Sequence, residues 1–173
     1  MNINSIILIL LFVLCGCKNS TVNSGVLPQQ EIIFEAEYVN FAWGVTWKGM
    51  YVAENGDVHT YDRSGDPVQW VEDEDGFFTK EELLSKYGRR DTLRTRIPAD
   101  SLLMMKQLTM SIDARSYSDT ANVGADMGAW TTTVYIYRSE RQQYQRIILS
   151  CDGDREFNNV SPNAKNLSGI LKR

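Results

Sequence analysis

The chain is poor in the residues from which hydrolytic and metal centres are usually built. It has one histidine, His59, which excludes a multi-histidine metal site and argues against a Ser-His-Asp triad. Its cysteines number three, Cys15, Cys17 and Cys151, too few and too unevenly spaced for a disulfide framework. Four prolines and no internal repeat exclude collagen-like and low-complexity architectures. Cations are in deficit, 18 Lys plus Arg against 22 Asp plus Glu with a pI near 5.1, which is not the balance of a nucleic-acid-binding protein. The longest apolar run, Ile6 to Leu14, is far short of the roughly 20 residues that cross a bilayer. No phosphate-binding glycine loop occurs. What is present is a 43% hydrophobic, 10% aromatic chain of 173 residues, enough for one globular domain with its own core.

The apolar run has the length of a secretory-signal core, and it ends abruptly at Cys15-Gly16-Cys17 before the polar stretch Lys18-Asn19-Ser20-Thr21. Leu14-Cys15-Gly16-Cys17 resembles the lipobox of bacterial lipoproteins. The resemblance covers the leader alone. It implies cleavage after Gly16, acylation of Cys17 and anchoring of the protein to a membrane of the cell envelope by two or three acyl chains, each methylene contributing roughly 0.8 kcal/mol. Lys18 stands where an Asp would favour inner-membrane retention in such proteins, so the resemblance points to the outer membrane where one exists. With Cys17 acylated, Cys151 has no partner for an intramolecular disulfide. Three segments result: a signal peptide, 1–16; an acylated N-terminus and flexible tether, 17–30; and a single domain, 31–173.

Within 31–173, Ile32, Phe34, Ala36 and Tyr38 share one parity and Glu31, Glu35 and Glu37 the other, as expected of a strand with one face in a core. Asn55-Gly56 predicts a two-residue hairpin turn that sets His59 opposite Val52, Tyr61 opposite Met50 and Thr60 opposite Tyr51. Val68 to Val71 reads as a short strand. Thr79 and Glu82 form a capping box ahead of a short helix ended by Gly88, and a second helix starts near Pro98 with Leu102, Met105 or Leu108, and Ile112 along one side. Residues 113–128 have no apolar period and predict a long loop. A second hairpin pairs Trp130–Tyr137 with Tyr144–Cys151, placing Thr132, Val134 and Ile136 on one core-facing parity and Ile147, Leu149 and Cys151 on another. Ser161-Pro162 begins a last helix carrying Leu167, Ile170 and Leu171. The expected fold is α+β: an antiparallel sheet of hairpins, two to three short helices packed on one face, and the other face open to solvent or a partner.

No catalytic set accompanies this fold. A His59–Cys151 dyad is disfavoured because both residues sit among apolar neighbours. The acidic run Glu72-Asp73-Glu74-Asp75-Gly76 fails a calcium-loop reading at its first position, Val71, and reads as a solvated turn. Arg89, Arg90, Arg94 and Arg96 are interleaved with acids, as on a mixed surface. Neither metal nor cofactor is implied. The expected function is therefore a non-catalytic, lipid-anchored binding module for a protein or other envelope component. Its candidate ligand-binding residues are Tyr135, Tyr137 and Tyr144 on the outward parity, with Asp119 and Asp126 in the long loop. The alternative is a small envelope hydrolase using loop carboxylates, Asp119 with Asp126 or Asp152 with Asp154.

Overall fold

The computed structural model describes residues 31–66, 75–88 and 92–172. The leader, the tether, Val68–Val71, Glu72–Glu74 and Arg89–Asp91 lie outside the described residues. In chain order the elements are β1 (Ile32–Asn40), β2 (Thr46–Val52), β3 (Asp57–Asp62), β4 (Phe77–Phe78), α1 (Lys80–Tyr87), β5 (Thr92–Arg96), α2 (Ala99–Thr109), β6 (Ala121–Asn122), β7 (Ala129–Arg138), β8 (Gln143–Gly153), β9 (Arg155–Asn158) and α3 (Pro162–Leu171). Among the described residues the strands form one sheet in the order β5-β3-β2-β1-β7-β8-β9-β6, with β4 paired to β8. Each pairing is antiparallel, so the α+β class stands.

Helices pack on both faces rather than one. Ile32, Phe34, Val134, Ile136 and Ile147 pack with Met105 of α2 and Leu167 and Leu171 of α3. On the opposite face Ile33, Tyr51, Tyr61 and Tyr135 pack with Leu83 and Tyr87 of α1. Accordingly β1 is buried on both parities from Ile32 to Glu37. Its opening Ile32-Ile33-Phe34 is a continuous apolar run of the kind that marks a strand covered twice.

The first hairpin differs from expectation by one residue. Gly56 N–H donates to Ala53 C=O at 2.8 Å, Ala53 N–H donates to Asp57 C=O at 2.8 Å, and Gly56 has φ +88°. That is a three-residue loop closed by a left-handed glycine, not a two-residue turn. A one-residue slip exchanges faces, so the partners are Val52 with Val58, Tyr51 with His59, Met50 with Thr60 and Gly49 with Tyr61. In the second hairpin a bulge at Leu149, between the pairs Thr132/Ser150 and Thr133/Ile148, switches parity. Ser150 thereby faces the helices beside Thr132, and Cys151 leaves the parity of Ile147.

The capping box at Thr79 and Glu82 and the glycine stop at Gly88 form as the sequence implies. Ser161 precedes α3, but its hydroxyl accepts the Asp113 N–H at 3.1 Å instead of capping the helix. The 113–128 segment is tied down along its length: β6 pairs with β9, Ser118 N–H reaches Asn158 C=O, and Val123 N–H reaches Asp154 C=O.

Candidate binding groove and the buried ion network

The sheet face under α1 holds a charged network. Lys86 of α1 places its ammonium 2.7 Å from Glu35 Oε2 and 3.0 Å from Glu37 Oε1, and donates to the Tyr135 hydroxyl at 3.1 Å. Trp47 Nε1–H donates to Glu37 Oε2 at 2.9 Å, and Tyr135 O–H donates to Glu35 Oε2 at 2.8 Å. The Tyr61 hydroxyl lies 2.8 Å from Glu35 Oε1 and 3.0 Å from Glu37 Oε2. Gly49 makes room for this, since a Cβ there would fall 2.8 Å from the Tyr61 hydroxyl and 2.6 Å from Ala36 O.

Proton counting orders the network. Tyr61 has one hydroxyl hydrogen and two carboxyl neighbours, so the two contacts share it. Burial, then the adjacent Glu37 charge, raises the pKa of Glu35 above the ordinary carboxylate value, so of the two carboxyls Glu35 takes up a proton the more readily. The Tyr61 hydroxyl donates toward both carboxyl groups. Burial also acts to raise Glu37, but the Lys86 charge and the Trp47 hydrogen bond outweigh it and hold Glu37 below the ordinary value. For Lys86 burial acts downward, and the two glutamate charges outweigh it, raising the ammonium. The result is a buried ammonium held between two carboxyl groups of unequal acidity, each also engaged by a hydroxyl or an indole N–H.

The opposite face carries the concavity. Two cross-strand rows run side by side at the margin of the helix layer, the inner one passing beneath α3 at Thr132 and Ser150. The inner row is Thr60, Met50, Ala36, Thr132 and Ser150; the outer is Asp62, Lys48, Tyr38, Trp130 and Asp152. Small side chains in the inner row, Ala36 above all, leave a hollow of about 770 Å³ bounded by Thr92 and Arg94 on one side and Leu171 and Lys172 on the other. That is the size of a small-molecule site. Arg94 sits at the β3–β5 bulge and donates from Nε to Thr60 Oγ1 at 2.9 Å. Trp130 is 49% exposed, and its ring lies 5.3 Å from that of Tyr38 at 43°. The Tyr38 hydroxyl is in turn fixed on Met127 O at 2.8 Å. Lys172 pairs with Asp152 at one end. Beneath α3, the hydroxyls of Thr132, Ser150 and Ser168 close a buried triangle of 2.8–2.9 Å contacts.

The residues expected to bind a ligand are not gathered here. Tyr135 is interior, part of the ion network. Tyr144 is also interior, its hydroxyl 2.7 Å from Glu31 Oε2 and 2.5 Å from Glu54 Oε1. Tyr137 is half-buried and packs edge-on against Tyr144. The expected outward aromatic face is therefore covered. Asp119 is exposed in the long loop, and Asp126, at φ +66°, uses its backbone oxygen to accept from Asn40 Nδ2. Asp126 and Asp154 border a second depression beside Phe41 and Arg155, without Asp119 and without a Ser, Thr, Cys, Lys or His in its lining. Asp154 Oδ1 accepts the Met127 N–H at 2.8 Å, and Asp152 is taken by Lys172. His59 stacks on Tyr51 at 4.8 Å. Four strand spacings, about 19 Å, separate its strand from that of Cys151.

Sequence reasoning missed Lys48, Thr60, Asp62 and Thr92 as groove residues, because only the corrected register aligns them. Trp130 was visible as an aromatic but not as an exposed one. The network glutamates were read as solvent-facing. Comparison of the chain with protein-family models, curated proteins and solved structures finds no match.

Proposed function

We propose that the protein is a lipid-anchored binding module of the cell envelope that seats its ligand in the groove between Arg94 and Lys172. The observation that carries this reading is the groove itself, a hollow of about 770 Å³ with an apolar and aromatic floor and polar groups at both ends, the usual make-up of a ligand site. The anchor rests on the lipobox-like Leu14-Cys15-Gly16-Cys17, with the outer membrane favoured by Lys18. Among the described residues no helix is long and apolar enough to cross a membrane. A non-catalytic role is favoured over the hydrolase alternative because Asp152 is paired with Lys172, Asp154 is engaged by Met127, and no nucleophile borders Asp126.

A photo-crosslinking amino acid placed at Lys48, in the groove, and separately at Glu140, in the β7–β8 turn, tests the reading in intact cells. An adduct from position 48 alone, lost together with membrane retention in Cys17→Ala, is the expected result. Adducts of equal yield from both positions, or none from 48, would overturn the groove as the site. Undiminished membrane retention of Cys17→Ala would overturn the anchor.

A further inference from the structure

Resting on the groove as the binding site, we propose that its ligand is a glycan, a short run of pyranose rings lying along the two cross-strand rows. The chemistry of the lining distinguishes glycans from the other amphipathic class, acyl chains with an anionic head. The hollow is bounded by Thr92 and Arg94 at one side and by Leu171 and Lys172 at the other, and opens to solvent between them. An acyl chain laid on such a shelf would keep half its surface in water and forfeit much of its hydrophobic stabilisation. A pyranose ring has an apolar C–H face and a polar perimeter, so it needs one apolar floor and hydrogen-bonding groups around it.

The rows supply that arrangement. Met50, Ala36 and the half-exposed Trp130 form the floor, with the indole propped by Tyr38 at 5.3 Å. Around them stand acceptors and donors of both kinds, Asp62 and Asp152 with Lys48 and Arg94. The lining mixes two carboxylates, Asp62 and Asp152, with three cations, Lys48, Arg94 and Lys172, a perimeter of both signs that suits a neutral polyol, because sugar hydroxyls both donate to carboxylates and accept from guanidinium and ammonium groups. From β3 to β8 the floor spans four strand spacings, about 19 Å, room for a short linear oligosaccharide. Trp130 is the stacking platform, Arg94 a perimeter donor and Tyr38 a positioning residue.

Saturation-transfer NMR and calorimetry on the full chain test this with three neutral tetrasaccharides, of β-1,4-linked N-acetylglucosamine, β-1,4-linked glucose and α-1,4-linked glucose, and with dodecanoate as the acyl probe. The expected result is binding of at least one tetrasaccharide, weakened tenfold or more in Trp130→Ala and severalfold in Arg94→Gln, and unchanged in Trp43→Ala, whose indole is exposed outside the groove. Arg94 lies on an exposed edge strand, so its variant reports on the site if Trp130→Ala fails to fold. Sugar binding indifferent to both groove variants, or no sugar binding, overturns the proposal. In the latter case dodecanoate binding that Trp130→Ala or Arg94→Gln weakens would leave the groove a ligand site of another class, and silence from every probe would take the groove reading with it.

Discussion

Lys86 and Glu35 meet at 2.7 Å with both side chains withdrawn from water, 1% and 0% exposed. The contact spans 51 residues of chain and fastens α1 to the central strand of the sheet. Removing one partner of a buried pair costs about 3–5 kcal/mol, because the other charge stays uncompensated. Lys86→Met should therefore destabilise by about that amount at pH 7 in urea denaturation. Without the ammonium, burial pushes both carboxyls upward with less to oppose it, so the variant's deficit should shrink at pH 5. A deficit that is equal at the two pH values would contradict this.

The two glutamates should respond unequally to amidation. Glu37 accepts at one oxygen from an ammonium and at the other from an indole N–H, so Glu37→Gln must turn an amide NH₂ against a donor. Glu35 Oε1 faces a hydroxyl that can accept, and Gln there copies the protonated acid. We expect Glu35→Gln to stay within about 1 kcal/mol of the parent and Glu37→Gln to lose about 2–3 kcal/mol, measured side by side at pH 7. Equal losses would contradict the opposite shifts of the two carboxyls.

Tyr61, Tyr87 and Tyr135 are held well above the ordinary phenol value, by burial first and then by the Glu35 charge. A raised folded pKa contributes stability that is intact below pH 10 and is lost as pH climbs through the folded value. Ultraviolet titration at 295 nm should thus show incomplete phenolate formation near pH 11 and a late cooperative step that coincides with loss of the fold. Smooth titration of all eight tyrosines near pH 10 without unfolding would exclude it.

Gly49→Ala would place a methyl group 2.6 Å from Ala36 O and 2.8 Å from the Tyr61 hydroxyl. Overpacking of that kind costs about 1–3 kcal/mol, and thermal unfolding of the variant should show it. Gly49→Ala combined with Tyr61→Phe should recover part of the loss, because the hydroxyl is one of the two obstructing atoms. An additive double variant would rule out that collision.

Cys151 is buried, and its thiol is pushed up by that burial. Thiolate is the reactive form. Iodoacetamide at pH 8 followed by peptide mass spectrometry should leave Cys151 unmodified in the folded protein and modify it fully in urea. Rapid labelling of the native state would contradict this placement.

Particular residues show what the sequence made legible. Thr79, Glu82 and Gly88 announced α1 because capping is a local hydrogen-bond pattern. The strand parities of β1 and β7 were equally plain. Glu35 and Glu37 were misread because alternation reports only that two faces differ, and Lys86 comes from a helix about 50 positions away. A signal was present: in the true register Trp47, Tyr51, Tyr61 and Tyr135 share the glutamates' face, a density of amphipathic aromatics unsuited to a wet surface. The Asn55-Gly56 turn concealed it, since the pair serves both two-residue and three-residue loops and the difference exchanges faces. The groove depends on that register too, which is why Lys48, Thr60 and Asp62 could not be brought together as lining residues from the sequence.

The direction of β1 has a consequence for access. The chain enters the sheet at Ile32, and the groove rows cross β1 at Ala36 and Tyr38, roughly 13–20 Å further along the strand. A domain held by the segment before Ile32 therefore carries its groove toward the end remote from its attachment. Were the proposed anchor to hold that end at a membrane, the groove rows would lie farther from the point of attachment than the strand's own start does.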